Sequence, residues 1–192
     1  MASSGKHNMT IHQLLGQYRE RISNPRDLGS IFERLTKTYF ERNPIYAARF
    51  RKVWFWKDWP QRWGPDCGID LVAEDVEGNY CAIQCKFYSG DYSIVKEDID
   101  SFFTESGRKF KTEAKKTNSF SYRVIVTTTN HWSDNAQRSI KNQTIPVTLI
   151  GLTNFDESPI EWSSFDLDKP DDIVLKEKKN CGPIKTKQLK MC

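Results

Sequence analysis

The sequence lacks the parts that several common chemistries require. No apolar run approaches the ~18 residues of a membrane span, so no spanning helix is expected. The start, Met1-Ala2-Ser3-Ser4-Gly5-Lys6, has no apolar stretch behind it, which predicts no secretory signal and a cytoplasmic location. With three histidines and no Cys-x-x-Cys pair, a histidine-metal finger, a Cys–His hydrolase and a structural zinc site all lack their ligands or partners. The five cysteines (67, 81, 85, 181 and 192) form no disulfide framework and are expected as free thiols in a reducing compartment. No glycine-rich phosphate loop follows the first strand and no Walker loop occurs, which argues against a Rossmann domain and against a motor. No internal repeat is visible.

What remains suits one domain. At 192 residues, 38% hydrophobic and 12% aromatic with six Trp, the chain can bury a sizeable core. We expect a disordered tail over 1–9, a domain over 10–165, and a linker over 166–192, where the pattern fades into Asp168-Lys169-Pro170-Asp171-Asp172 and a Lys-rich end. Helical spacing marks 10–22 (Ile11, Leu14, Leu15, Tyr18, Ile22) and 29–42 (Ile31, Phe32, Leu35, Tyr39, Phe40), the second with Ser30 as cap. Strands are predicted at 52–56, 69–73, 80–87, 123–127 and 147–150, and further helices at 94–106 and 134–141. Strands joined through helices imply a partly parallel sheet covered on both faces: an α/β three-layer sandwich with a central mixed β-sheet flanked by helices.

The most informative stretch runs from Gly68 to Lys86. Two short apolar runs flank the turn at Glu77-Gly78-Asn79, as in a hairpin. Side chains two apart share a face of a strand, so Gln84 and Lys86 point one way while Ile83 and Cys85 point into a core. Asp70 lies roughly opposite residues 84–86, so a carboxylate, an amide and an ammonium converge. An amphipathic edge hairpin would also carry solvated Asp and Lys. The nearly apolar second run instead indicates a buried strand, in which Gln and Lys need a partner or a task.

That trio suits phosphodiester hydrolysis, which needs an activated water and positive charge on the reacting phosphate. Mg2+ takes hard oxygen ligands. Asp70, Gln84 and the backbone carbonyl of Cys85 offer them, and Lys86 can orient the water or stabilise the phosphate. Glu33, on the second helix, is a further ligand, directly or through a water; the plainer alternative pairs it with Lys37 one turn on. Asp66 and Glu74 rank below Asp70. For DNA contact, Lys109, Lys111, Lys115 and Lys116 sit in a basic cluster over 108–123 that also holds Arg108 and Arg123. Thr127 and Thr128 close a strand where hydroxyls can meet phosphates, although β propensity explains them equally. Trp54, Trp56, Trp59 and Trp63 could stack on bases, but core packing is the commoner fate of Trp.

Asp70 followed by Gln84-Cys85-Lys86, with Phe32-Glu33 upstream, resembles the PD-(D/E)xK nuclease superfamily in its Mrr-like branch, where Gln replaces the acid before x-Lys. The likeness extends to Ile94–Phe103 and Val126-Thr127-Thr128. Val53-Trp54-Phe55-Trp56, Gly68–Ala73 and Ala82–Tyr88 are similar to the N-terminal nuclease domain of single-chain type ISP restriction–modification enzymes and related helicases. The resemblance covers about residues 10–165 and implies a restriction-endonuclease-like fold and Mg2+-dependent DNA cleavage, with Mn2+ able to substitute. It also implies double-stranded DNA as substrate and a helicase-like translocase, a methyltransferase and a target-recognition domain in the same polypeptide. ATP would enter only through that motor, and a second nuclease copy is a further partner. A non-catalytic DNA-docking module on the same fold, or a repair or resolvase-type nuclease, are the alternatives. Gln in place of an acid removes one negative charge, which weakens metal affinity unless Glu33 compensates.

Overall fold

The computed structural model describes residues 9–176 apart from Asp66 and Glu113. Two helices come first, α1 (Ile11–Arg21) and α2 (Pro25–Arg42), with a single turn, α3 (Pro44–Ala47). Strand β1 (Phe50–Phe55) follows, then a 3-10 turn (Trp56–Asp58) and the hairpin β2 (Leu71–Asp75) and β3 (Tyr80–Lys86). After them come β4 (Ser93–Ile94), α4 (Glu97–Glu105), β5 (Lys109–Lys111), β6 (Thr117–Thr127) and β7 (His131–Trp132). The last elements are α5 (Asp134–Lys141), β8 (Val147–Ile150), α6 (Leu152–Asp156), β9 (Ile160–Glu161) and β10 (Val174–Leu175), with two further 3-10 turns between the last two strands.

Local chemistry sets the helix starts. Thr10 and Gln13 form a reciprocal capping box on α1. The α2 helix begins at Pro25 under an Asn24 cap, earlier than the expected start at Ser30, because proline is pre-formed for the first helical position and Asn24 accepts from the Arg26 amide at 3.0 Å. Asp75 organises the β2–β3 turn by accepting from the Glu77 and Asn79 amides, and Gly78 supplies the positive φ of 86° that the turn requires.

The main sheet has six strands in the order β1-β2-β3-β6-β5, with β8 also on β6. The pairs β1–β2, β2–β3 and β5–β6 are antiparallel, and β3–β6 and β6–β8 are parallel, with α4 and α5 in the two crossovers. Strand alternation divides the interior into two cores. Leu71, Ile83, Val124 and Val126 meet Phe32, Leu35 and Phe40 of α2 and Phe155 of α6 on one face. Val72, Ala82 and Ile125 meet Ile99 and Phe102 of α4, Ala136 of α5, and Trp56 and Trp59 on the other. This is the expected three-layer α/β sandwich with a mixed central sheet flanked by helices.

Two differences from the sequence reading have clear causes. The β6 strand starts six residues before the expected 123, because its polar first half (Thr117–Ser119) pairs with β5 where no apolar signal is needed. Beyond residue 165 the chain continues along the domain: Ile173 is buried in the first core, β10 pairs with β9, and Arg42 of α2 bonds the Asp171 carboxylate at 2.6 Å. Among the described residues no helix is long and apolar enough to cross a membrane.

Candidate active site

The hairpin delivers Asp70 just before β2. Its amide donates to the Ile83 carbonyl at 2.9 Å, and its carboxylate Oδ2 accepts from the Cys85 amide at 2.6 Å. These two bonds bracket Gln84, so Asp70 stands across from it. On the other side, the Asp70 carbonyl accepts from the Trp56 amide at 2.8 Å, which fixes the end of β1 beside it.

Gln84 is 2% exposed. Its Nε2 donates to the Gly68 carbonyl at 3.0 Å. Gly68 has φ 78°, and a Cβ there would sit 2.7 Å from Ser101 Oγ, so glycine is required for the turn that aims this carbonyl at Gln84. The amide's other end, Oε1, is buried with no hydrogen-bond partner among the described residues. Such an orphan costs about 1–3 kcal/mol unless something satisfies it.

The Cys85 N–H points at Asp70. In an extended strand a residue's carbonyl leaves by the same edge as its N–H, so the Cys85 carbonyl faces the same side. Burial, and then the Asp70 charge, push the Cys85 thiol well up; a Thr36 hydrogen bond opposes them, Glu33 adds to the rise and Lys86 counters it.

Glu33 and Asp70 share a cleft of about 360 Å³, which Arg34, Phe55 and Lys57 also line. Lys37 forms an ion pair with Glu41 on its own helix. Lys86 is half-buried at the end of β3, outside that lining, and among the described residues no carboxylate pairs with it. It acts electrostatically on Asp98 of α4. Burial alone would raise the Asp98 carboxyl, but the Val95 amide, the Tyr88 and Tyr92 hydroxyls and Lys86 outweigh it and hold it below the usual range. Nothing in the spacing of Tyr88, Tyr92 and Asp98 signals this network.

The remaining candidates fall elsewhere. Glu74 is taken by Arg51, and Asp66 lies outside the described residues. Thr127 is buried, and its hydroxyl accepts from the Thr129 amide at 3.2 Å. Thr128 both accepts from the Tyr88 amide, at 2.8 Å, and donates to its carbonyl, at 2.7 Å, clasping the segment that presents Tyr88 and Tyr92 to Asp98. Lys109, Lys111, Lys115 and Lys116 are exposed on the β5–β6 hairpin. Lys111 faces Thr117 and Lys86 faces Thr127, so β6 separates the hairpin from Lys86 by about 33 Å. Arg123, counted with that basic cluster, is instead buried and holds the Phe103 carbonyl and the Gln143 side chain. Trp56 and Trp59 are in the core, while Trp54 and Trp63 are half-buried.

Chemically, one carboxylate, one unpartnered amide oxygen and one backbone carbonyl, with a second carboxylate on the cleft wall, form a hard-oxygen donor set that fits Mg2+ or Mn2+. Among the described residues no group of three His, Cys, Asp or Glu side chains could hold a metal, so any ion here depends on the amide and backbone oxygens.

A restriction endonuclease family model, Mrr_cat_2, matches residues 41–172. The chain belongs to this restriction endonuclease family. Its members' fold also accounts for the likeness to the ATP-dependent type ISP restriction–modification enzyme LlaBIII, solved bound to DNA: TM-score 0.70 and 31% identity over 88% of this chain. The chain spans 10% of LlaBIII's length. The MspJI restriction endonuclease, solved with a 27-mer oligonucleotide, is a weaker likeness at TM-score 0.46 and 14% identity, over 81% of this chain and 34% of that one. No curated protein matches the sequence. The domain is thus a restriction-type nuclease domain.

Proposed function

We propose that this restriction-endonuclease domain hydrolyses DNA phosphodiester bonds with a divalent metal held at Asp70. The buried, unpartnered Oε1 of Gln84 across from the Asp70 carboxylate carries the reading. Asp70, Gln84 Oε1 and the Cys85 carbonyl would hold Mg2+, with Mn2+ as a substitute and Glu33 acting through a water. A metal bound there supplies acidity to a water and positive charge to the phosphate. The Gly68 carbonyl takes the Nε2 donor, which leaves Oε1 as the end of the Gln84 amide that would reach a metal. Lys86 brings its ammonium to the end of β3, where it orients the attacking water or neutralises the phosphate. That ammonium acts in turn on the Asp98 carboxylate, which the Tyr88 and Tyr92 hydroxyls hold.

The likeness to LlaBIII, an ATP-dependent restriction–modification enzyme solved bound to DNA, supports DNA as substrate; a translocase, a methyltransferase and a target-recognition domain in the same polypeptide are proposed from the sequence resemblance. ATP would serve that motor and not this domain. A second nuclease copy would complete a double-strand cut. One observation favours a non-catalytic docking module: among the described residues no cluster of three acidic, His or Cys side chains is present. Metal titration separates the two, since a docking module shows no Asp70-dependent binding. The activity test is plasmid cleavage by the full polypeptide. Asp70→Ala and Lys86→Ala should each lower the rate about a hundredfold or more; intact cleavage in either variant overturns the assignment.

A further inference from the structure

We propose that Lys57, with Arg34 beside it, is a docking point for the DNA phosphate next to the one attacked. This rests on the nuclease reading above but adds a site that neither the motif nor the charge clusters of the sequence mark. The ends of β1, β2 and β3 lie side by side. Lys57 follows β1, Asp70 precedes β2, and Lys86 ends β3. The Trp56 amide bond to the Asp70 carbonyl and the Cys85 amide bond to the Asp70 carboxylate tie the three ends together. Adjacent strands are about 4.8 Å apart, so the backbones carrying Lys57 and Lys86 flank Asp70 at about 10 Å from one another. A phosphodiester chain laid across these ends meets Lys86 and the Asp70 site, then Lys57.

The charges around Lys57 agree. Two lysines lie over the Phe55 ring, Lys37 at 5.7 Å and Lys57 at 5.6 Å. Lys37 is neutralised by Glu41. Lys57 is exposed, lines the cleft, and has no carboxylate ion-pair partner among the described residues. Arg34, which lines the same cleft, spends one N–H on the Leu167 carbonyl at 3.3 Å and likewise has no carboxylate ion-pair partner among the described residues. Two cations without a carboxylate ion-pair partner among the described residues therefore line a cleft that Asp70 and Glu33 also line. A phosphate entering that cleft is a partner for both cations.

The test is the salt dependence of duplex binding by the 192-residue chain, measured by fluorescence anisotropy in EDTA and in Ca2+. Each phosphate contact contributes a slope of about 0.9 in log K against log salt. Lys57→Ala should lower the slope by about that much and weaken binding about eightfold at 0.1 M salt. Lys57→Arg should restore it, and Lys141→Ala, on the exposed end of α5, should leave it unchanged. An unchanged slope in Lys57→Ala overturns the inference. If Asp70→Ala still removes the Ca2+-dependent part of binding in that case, the Lys57 site alone has failed. Absence of duplex binding under both conditions removes the inference together with the nuclease reading.

Discussion

Replacing Gln84 by Glu tests the site through a single atom. The substitution keeps the shape of the side chain, adds one negative charge at a position 2% exposed, and removes the N–H that the Gly68 carbonyl accepts. The new carboxylate stands across from Asp70, where facing side chains are about 5 Å apart. At an effective dielectric of about 20, two like charges at that distance repel by about 3 kcal/mol. Burial at that position adds desolvation to the repulsion, so the new carboxyl takes up a proton instead, which at pH 7 costs about 4 kcal/mol. The metal-free variant should lose about 4 kcal/mol, or roughly 8–16 °C in melting temperature for a chain of this size. A divalent cation reverses the sign, because the added charge then attracts it. Thermal unfolding followed by circular dichroism, with and without 10 mM Mg2+ (about the concentration that a weak site needs), reads both halves. Mg2+ should recover much of the lost melting temperature in Gln84→Glu and raise the wild type less. A variant as stable as wild type without metal, or one that Mg2+ does not rescue, would mean that Gln84 does not face Asp70 across a metal site.

Three other outcomes follow from the packing and charges. Phe32 is fully buried against Phe155 and Phe87, so Phe32→Ala should cost about 3–5 kcal/mol in urea unfolding. Burial alone would raise the Asp75 carboxyl, but the Asn79 and Glu77 amides and the Asn79 and Tyr122 side chains hold it below its ordinary value. Its stabilisation is therefore full above about pH 4 and lost as pH falls through the lower folded value; Asp75→Asn should cost about 2 kcal/mol at pH 7 and flatten that acid limb of the stability curve. Finally, changing Lys109, Lys111, Lys115 and Lys116 together to Ala should weaken binding of a 30-base-pair duplex and leave a duplex of about eight base pairs bound at the Asp70 site unaffected, because about 33 Å corresponds to about ten base pairs.

Much of the architecture was legible because it is periodic. Alternation at Leu71-Val72-Ala73, Ala82-Ile83 and Val124-Ile125-Val126 distributes side chains between two cores, which only helices on both faces can cover. The Asp70–Gln84 juxtaposition was legible too, since a short turn at Glu77-Gly78-Asn79 sets the hairpin register. Less legible were the features built from tertiary contact. The first half of β6 carries no hydrophobic signal because β5 pairs with it through backbone bonds. Arg123 read as a surface cation and is a buried brace, because its place in a parallel ladder and not its neighbours in sequence decides its environment. Lys57 was missed since it follows an edge strand, and only the Trp56–Asp70 bond brings it to the cleft.

The proposed metal site lies between Asp70 and the Gln84 amide oxygen. Mn2+ titration of the isotope-labelled chain, followed by paramagnetic broadening in NMR spectra, addresses it most directly. The Gln84 side-chain amide and the backbone amides of residues 70 and 84–86 should broaden first, and Asp70→Ala should abolish the effect. Broadening centred elsewhere, such as at Asp171 and Asp172, or none at millimolar Mn2+, would contradict it.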